Sequence, residues 1–66
     1  MDQMSKRIKK KRESLGFQMK ELSVEIGVTS SLISQIESGK AFPSIVTLKK
    51  VAEALHTTVG ELIGEN

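Results

Sequence analysis

Apolar side chains recur every three or four positions in each segment of the chain, and no stretch alternates with the period of two that a half-buried strand requires. The pattern predicts an all-α domain of five helices. Met4, Ile8 and Leu15 share one stripe of a first helix over roughly residues 3–15, ended by Gly16. Leu22 and Ile26 mark a second helix over about residues 19–26, with Gly27 where a left-handed residue commonly closes a helix. Thr29 suits the N-cap of a third helix, which carries Ile33 and Ile36 inward over residues 30–37 and stops at Gly39. Pro43 and Ser44 punctuate the next start, after which Ile45, Leu48, Val51, Ala52 and Leu55 follow at spacings of three and four. A short fifth helix begins at Thr58, whose spacing to Glu61 is that of a capping box, and it presents Val59, Leu62 and Ile63. His56 follows the fourth helix and reads as its terminator, since histidine tolerates positive φ better than most residues. Such short connections leave no linker, so residues 1–66 read as a single domain.

Residues 18–37 hold the pattern of most consequence, two short amphipathic helices hinged at Gly27. Where two helices cross steeply, the crossing point needs a small residue and the turn needs a glycine. Ser23 and Gly27 meet those demands, and Val28 plugs the turn. Ile33 and Ile36 bind the third helix to the core by one stripe, leaving Ser30, Ser31, Ser34 and Gln35 on its outer face. An ordinary amphipathic helix also has a polar outer face. Three serines there are an unfavourable choice for helix stability, however, and each residue of the face can exchange hydrogen bonds without presenting a charge that phosphate would repel. This arrangement is a helix-turn-helix, and it points to the major groove of duplex DNA.

Charge sharpens that reading. The net charge is only +2, yet Lys6, Arg7, Lys9, Lys10, Lys11 and Arg12 place six of the ten basic residues within seven positions. A helix facing a polyanion looks like this, and so does a solvated helix that keeps a small protein soluble. Five neutralised phosphates would give a slope of log affinity against log salt of about −4.5. Arg12 stands apart, because it lies one turn beyond Ile8 on the apolar stripe and therefore needs a partner. Glu37, four residues after Ile33, borders the core face of the third helix.

From about Ile8 to Ile63 the chain resembles the phage-repressor and Cro type, Xre-like family of five-helix DNA-binding domains, on the glycine and isoleucine placement and the run IESGK. The segment SLISQIESGKAFPSIVTLKKVAEAL is similar to the N-terminal domains of bacterial regulators that carry a cupin effector domain. The resemblance implies a compact lambda-repressor-like fold with the helix-turn-helix in helices two and three, and base contacts from Ser30, Ser31, Ser34 and Gln35. Gln35 is the most informative of these, since a carboxamide can pair bidentately with adenine. Leu32 either packs near Ile36 or touches a thymine methyl. Phosphate contacts are implied at Gln18, Met19 and Lys20, around the start of the second helix, and at Ser38 and Lys40 after the third. Met19 departs from the glutamine that the family commonly has there, which leaves backbone N–H groups to meet a phosphate. Arg12 and Glu37 are implied to form a partly buried ion pair.

The expected function is therefore sequence-specific binding of double-stranded DNA by a transcriptional regulator, a repressor acting as a homodimer on a palindromic operator. Val59, Leu62 and Ile63 form a plausible dimer face, and the same residues could instead close the core. The chain reads either as a stand-alone repressor or as part of a longer regulator with a C-terminal effector domain. An antitoxin or other protein-interaction module on the same fold is the alternative, although its binding face should be apolar and contiguous. An enzyme is not expected. At 66 residues there is room for one small core, and no catalytic constellation, phosphate loop or metal-ligand spacing is present, so neither cofactor nor metal is expected. The absence of cysteine fits a cytoplasmic location, and no apolar run approaches the roughly 18 residues of a membrane span.

Overall fold

The computed structural model describes residues 3–64, which form five helices and, among the described residues, no strand. They are α1 (Gln3–Ser14), α2 (Met19–Ile26), α3 (Ser30–Glu37), α4 (Ile45–Ala54) and α5 (Val59–Ile63). Each boundary has a local cause. The Glu21 carboxylate accepts from the Gln18 N–H at 2.8 Å and so closes the start of α2. Thr29 Oγ1 accepts from the Leu32 N–H, Ser44 Oγ from the Thr47 N–H and Thr58 Oγ1 from the Glu61 N–H, each at 3.1 Å. These bonds satisfy backbone donors that the first turn of a helix cannot pair internally. At the other ends, Gly27 turns the chain at φ 77° and His56 ends α4 at φ 56°, the single non-glycine residue with positive φ among those described.

The helices enclose one aliphatic core in which Ile8, Leu22, Ile33, Ile36, Val51, Leu55 and Leu62 are fully buried. α2 packs against α3 and α4, while α1 bridges α3 and α5. Ser23 is buried at the α2 crossing with its hydroxyl donating to the Lys20 carbonyl at 2.7 Å, and Val28 packs against the core. Phe17 also packs there, whereas Phe42 is exposed. No helix among the described residues is long and apolar enough to cross a membrane.

Two expected core positions lie elsewhere. Leu15 is 42% exposed: it lies just past the end of α1 at Ser14, beyond the stretch of the helix that meets the core. Arg12 takes the inward place instead, and Phe17 supplies the next apolar contact. Ile45 is 62% exposed: it is the first residue of α4 and stands before the helix has met the core, which begins at Leu48.

Candidate nucleic-acid interface

α3 is fixed from behind by the core and by specific bonds from α1. Ile33 and Ile36 anchor it to the core. From α1, Ser5 Oγ donates to the Ile36 carbonyl at 2.6 Å in a buried bond. Arg12 Nε donates to Glu37 Oε2 at 2.6 Å and Arg12 Nη2 to Glu37 Oε1 at 3.0 Å, a two-point pairing of guanidinium and carboxylate. The remaining nitrogen, Nη1, donates to the Phe17 carbonyl at 2.6 Å. The Glu37 hydrogen bond raises the Arg12 pKa above its ordinary value against the opposing effect of burial, so the cation is permanent. The Ser5 contact escaped the sequence reading. Its only signal is a small polar residue beside Met4 and Ile8 on the inward stripe of α1.

With its rear held, α3 presents Ser30, Ser31, Ser34 and Gln35, all exposed. Leu32 is half-buried and packed against the core, which decides its role in favour of packing. At the C-terminal end, Gly39 adopts φ 81°, and the Lys40 and Ala41 N–H groups both donate to the Gln35 carbonyl, at 2.9 and 3.2 Å. This closure leaves the side chains of Ser38 and Lys40 exposed. Gln18 and Lys20 are exposed at the start of α2, while Met19 is half-buried against the core, so its side chain is turned from solvent. No group of three or more histidine, cysteine or carboxylate side chains that could hold a metal occurs among the described residues.

One sequence expectation is corrected, and the α1 cations divide by direction. Leu62 is only 2% exposed and belongs to the core of its own chain, so it cannot form part of a dimer face as it stands; Val59 is half-buried against the core and Ile63 is 43% exposed. The cations of α1 do not all face the same way. α1 turns Ser5 and Arg12 to α3, whereas Arg7 reaches α5, its Nη1 donating to the Glu61 carbonyl at 3.1 Å. Lys6, Arg7, Lys10 and Lys11 all line the groove between α1 and the α5 end of the molecule.

A short polar helix clamped to a five-helix core, entered through a glycine turn, defines a helix-turn-helix domain of the repressor type. A sequence profile of that description matches residues 8–62, and the chain belongs to the helix-turn-helix family, in its Xre and lambda-repressor type. Solved structures agree. The master regulator for biofilm formation SinR, in complex with DNA, is 37% identical, with a TM-score of 0.84 over 89% of this chain and 95% of that one. A chain of the SinR/SinI protein complex is 36% identical, with a TM-score of 0.87 over 94% of this chain, which spans 61% of that one. The P22 c2 repressor bound to a synthetic operator is 26% identical, with a TM-score of 0.92 over the whole of both chains. A comparison with curated proteins gives no match.

Proposed function

We propose that this domain reads double-stranded DNA in the major groove with the outer face of α3, as a repressor that occupies a palindromic operator as a homodimer in the cytoplasm. The observation that carries this reading is the uncharged face of Ser30, Ser31, Ser34 and Gln35 on a helix that three buried side chains, Ser5, Arg12 and Glu37, hold from behind. Rigid support of this kind suits residues that must meet base edges in a fixed register. SinR and the P22 c2 repressor, which share the fold, are both seen on DNA. Gln18, Lys20, Ser38 and Lys40, with the backbone N–H of Met19, flank the face and are assigned to phosphates. A second copy is required because a single module of this size buries too little DNA to be selective, and half-sites one helical turn apart remedy that. Val59 and Ile63 remain open to such a copy. The module suits a stand-alone repressor and the DNA-binding part of a longer regulator alike.

Selection of tight binders from randomised duplex DNA tests the proposal. A palindromic consensus is expected, and no enrichment over bulk DNA would overturn it. A second reading, an antitoxin or other protein-interaction module, draws on Phe42, Ile45 and Val46, which stand exposed within five residues of one another.

A further inference from the structure

We propose that the groove between α1 and α5 is a docking site for an acidic, amphipathic segment of a protein partner, on the side of the molecule turned away from the recognition face of α3. Lys6, Arg7, Lys10 and Lys11 line it from α1, with Thr57, Glu61 and Leu62 opposite. Four cations thus converge on a strip whose single carboxylate, Glu61, is already engaged by the Thr57 hydroxyl and the Thr58 backbone. Arg7 is held in place by its bond to the Glu61 carbonyl and lies against Gly64, where a Cβ would come within 3.5 Å of Nη2.

Position separates this surface from the DNA face. Ser5 and Arg12 show which side of α1 meets α3, and Lys6 and Lys10 lie well round the helix from both. Cations so placed lie on a different side of α1 from the one that meets α3. Composition then selects the occupant. A phosphate backbone has no apolar group to lay along the methylene stems of the lysines. A peptide can set carboxylates against Lys6, Lys10 and Arg7 while laying an apolar side chain along those stems. Only the placement behind the DNA face rests on the proposed function; the charge and shape of the groove do not.

The test measures fluorescence anisotropy of a dye-labelled amphipathic helical peptide rich in glutamate and leucine, with a scrambled peptide of the same composition as its control. Lys6→Ala/Lys10→Ala should weaken binding roughly threefold to tenfold, since exposed ion pairs contribute little apiece. Lys49→Ala/Lys50→Ala changes the net charge equally from exposed positions on α4 and should leave binding unchanged. Saturating duplex DNA should not displace the peptide. Absence of binding, equal binding of the scrambled peptide, equal loss in both double variants, or displacement by duplex would each overturn the proposal. If the domain failed to bind duplex while still discriminating between the peptides, the DNA reading would fall and the docking site would stand.

Discussion

At the scale of single residues, the burial of Arg12 and Glu37 decides more than any other contact. Their side chains are 8% and 2% exposed, so water offers either charge little compensation. Replacing Glu37 by glutamine strands the guanidinium and should cost about 3–5 kcal/mol, a large part of the total stability of a domain this small. Urea and thermal melts of Glu37→Gln would measure it, and an unchanged midpoint would refute the assignment. Gln35→Ala should behave differently, leaving the fold intact and costing about 1–3 kcal/mol of discrimination at one base pair while binding to bulk DNA persists. Competition between operator and a single-substitution operator would show this. That Arg12 needs a partner was legible in the sequence, because it is a cation on an apolar stripe; that the partner is Glu37 was implied by the family resemblance. Ser5 was not legible, because serine on that stripe is equally compatible with a solvated position, and its acceptor, the Ile36 carbonyl, lies 31 residues away.

At the scale of elements, the helix starts could be read directly from Thr29, Ser44 and Thr58, whose hydroxyls accept the expected backbone bonds. Periodicity was less reliable at the ends, where Leu15 and Ile45 keep the spacing of the stripe yet lie past or before the stretch that meets the core. The groove between α1 and α5 could not be read at all, since it depends on pairing residues such as Arg7 and Glu61 that are 54 positions apart. Thr29→Ala should destabilise α3 by about 1 kcal/mol, and DNA affinity should fall with it, because the frayed turn carries Ser30 and Ser31. Melting and binding of the same preparation would test that link. At α5, the Thr57 hydroxyl, the Thr58 backbone and Lys11 lower the Glu61 pKa below its ordinary 4.5. A carboxylate with a depressed folded pKa stabilises fully above the ordinary value and loses that contribution as pH falls through the depressed one. The stability advantage of the wild type over Glu61→Gln should therefore shrink below about pH 4.5, as thermal melts across an acid series would reveal.

At the scale of the whole molecule, separating the α1 cations into two directions changes the expected response to salt. With the groove cations and the α4 lysines, Lys49 and Lys50, set aside, Lys9, Lys20 and Lys40 give a slope of log affinity against log salt of about −2.7 per protomer, shallower than the basic cluster alone suggests. Lys6→Ala/Lys10→Ala should leave that slope unchanged, and a steeper wild-type slope that relaxes in the variant would return those lysines to the DNA face. Arg12 sets a further property of the assembled molecule. One planar guanidinium reaches the carbonyl of Phe17, immediately before α2, and the carboxylate of Glu37, immediately before the loop of Ser38 and Lys40. The two ends of the helix-turn-helix, before α2 and after α3, are thereby tied to one rigid group, which acts as a gauge on the span between them. Lysine, with its charge at a single point, cannot hold that span. Arg12→Lys should therefore blur the choice among duplexes that differ in groove width more than it weakens binding to any one of them.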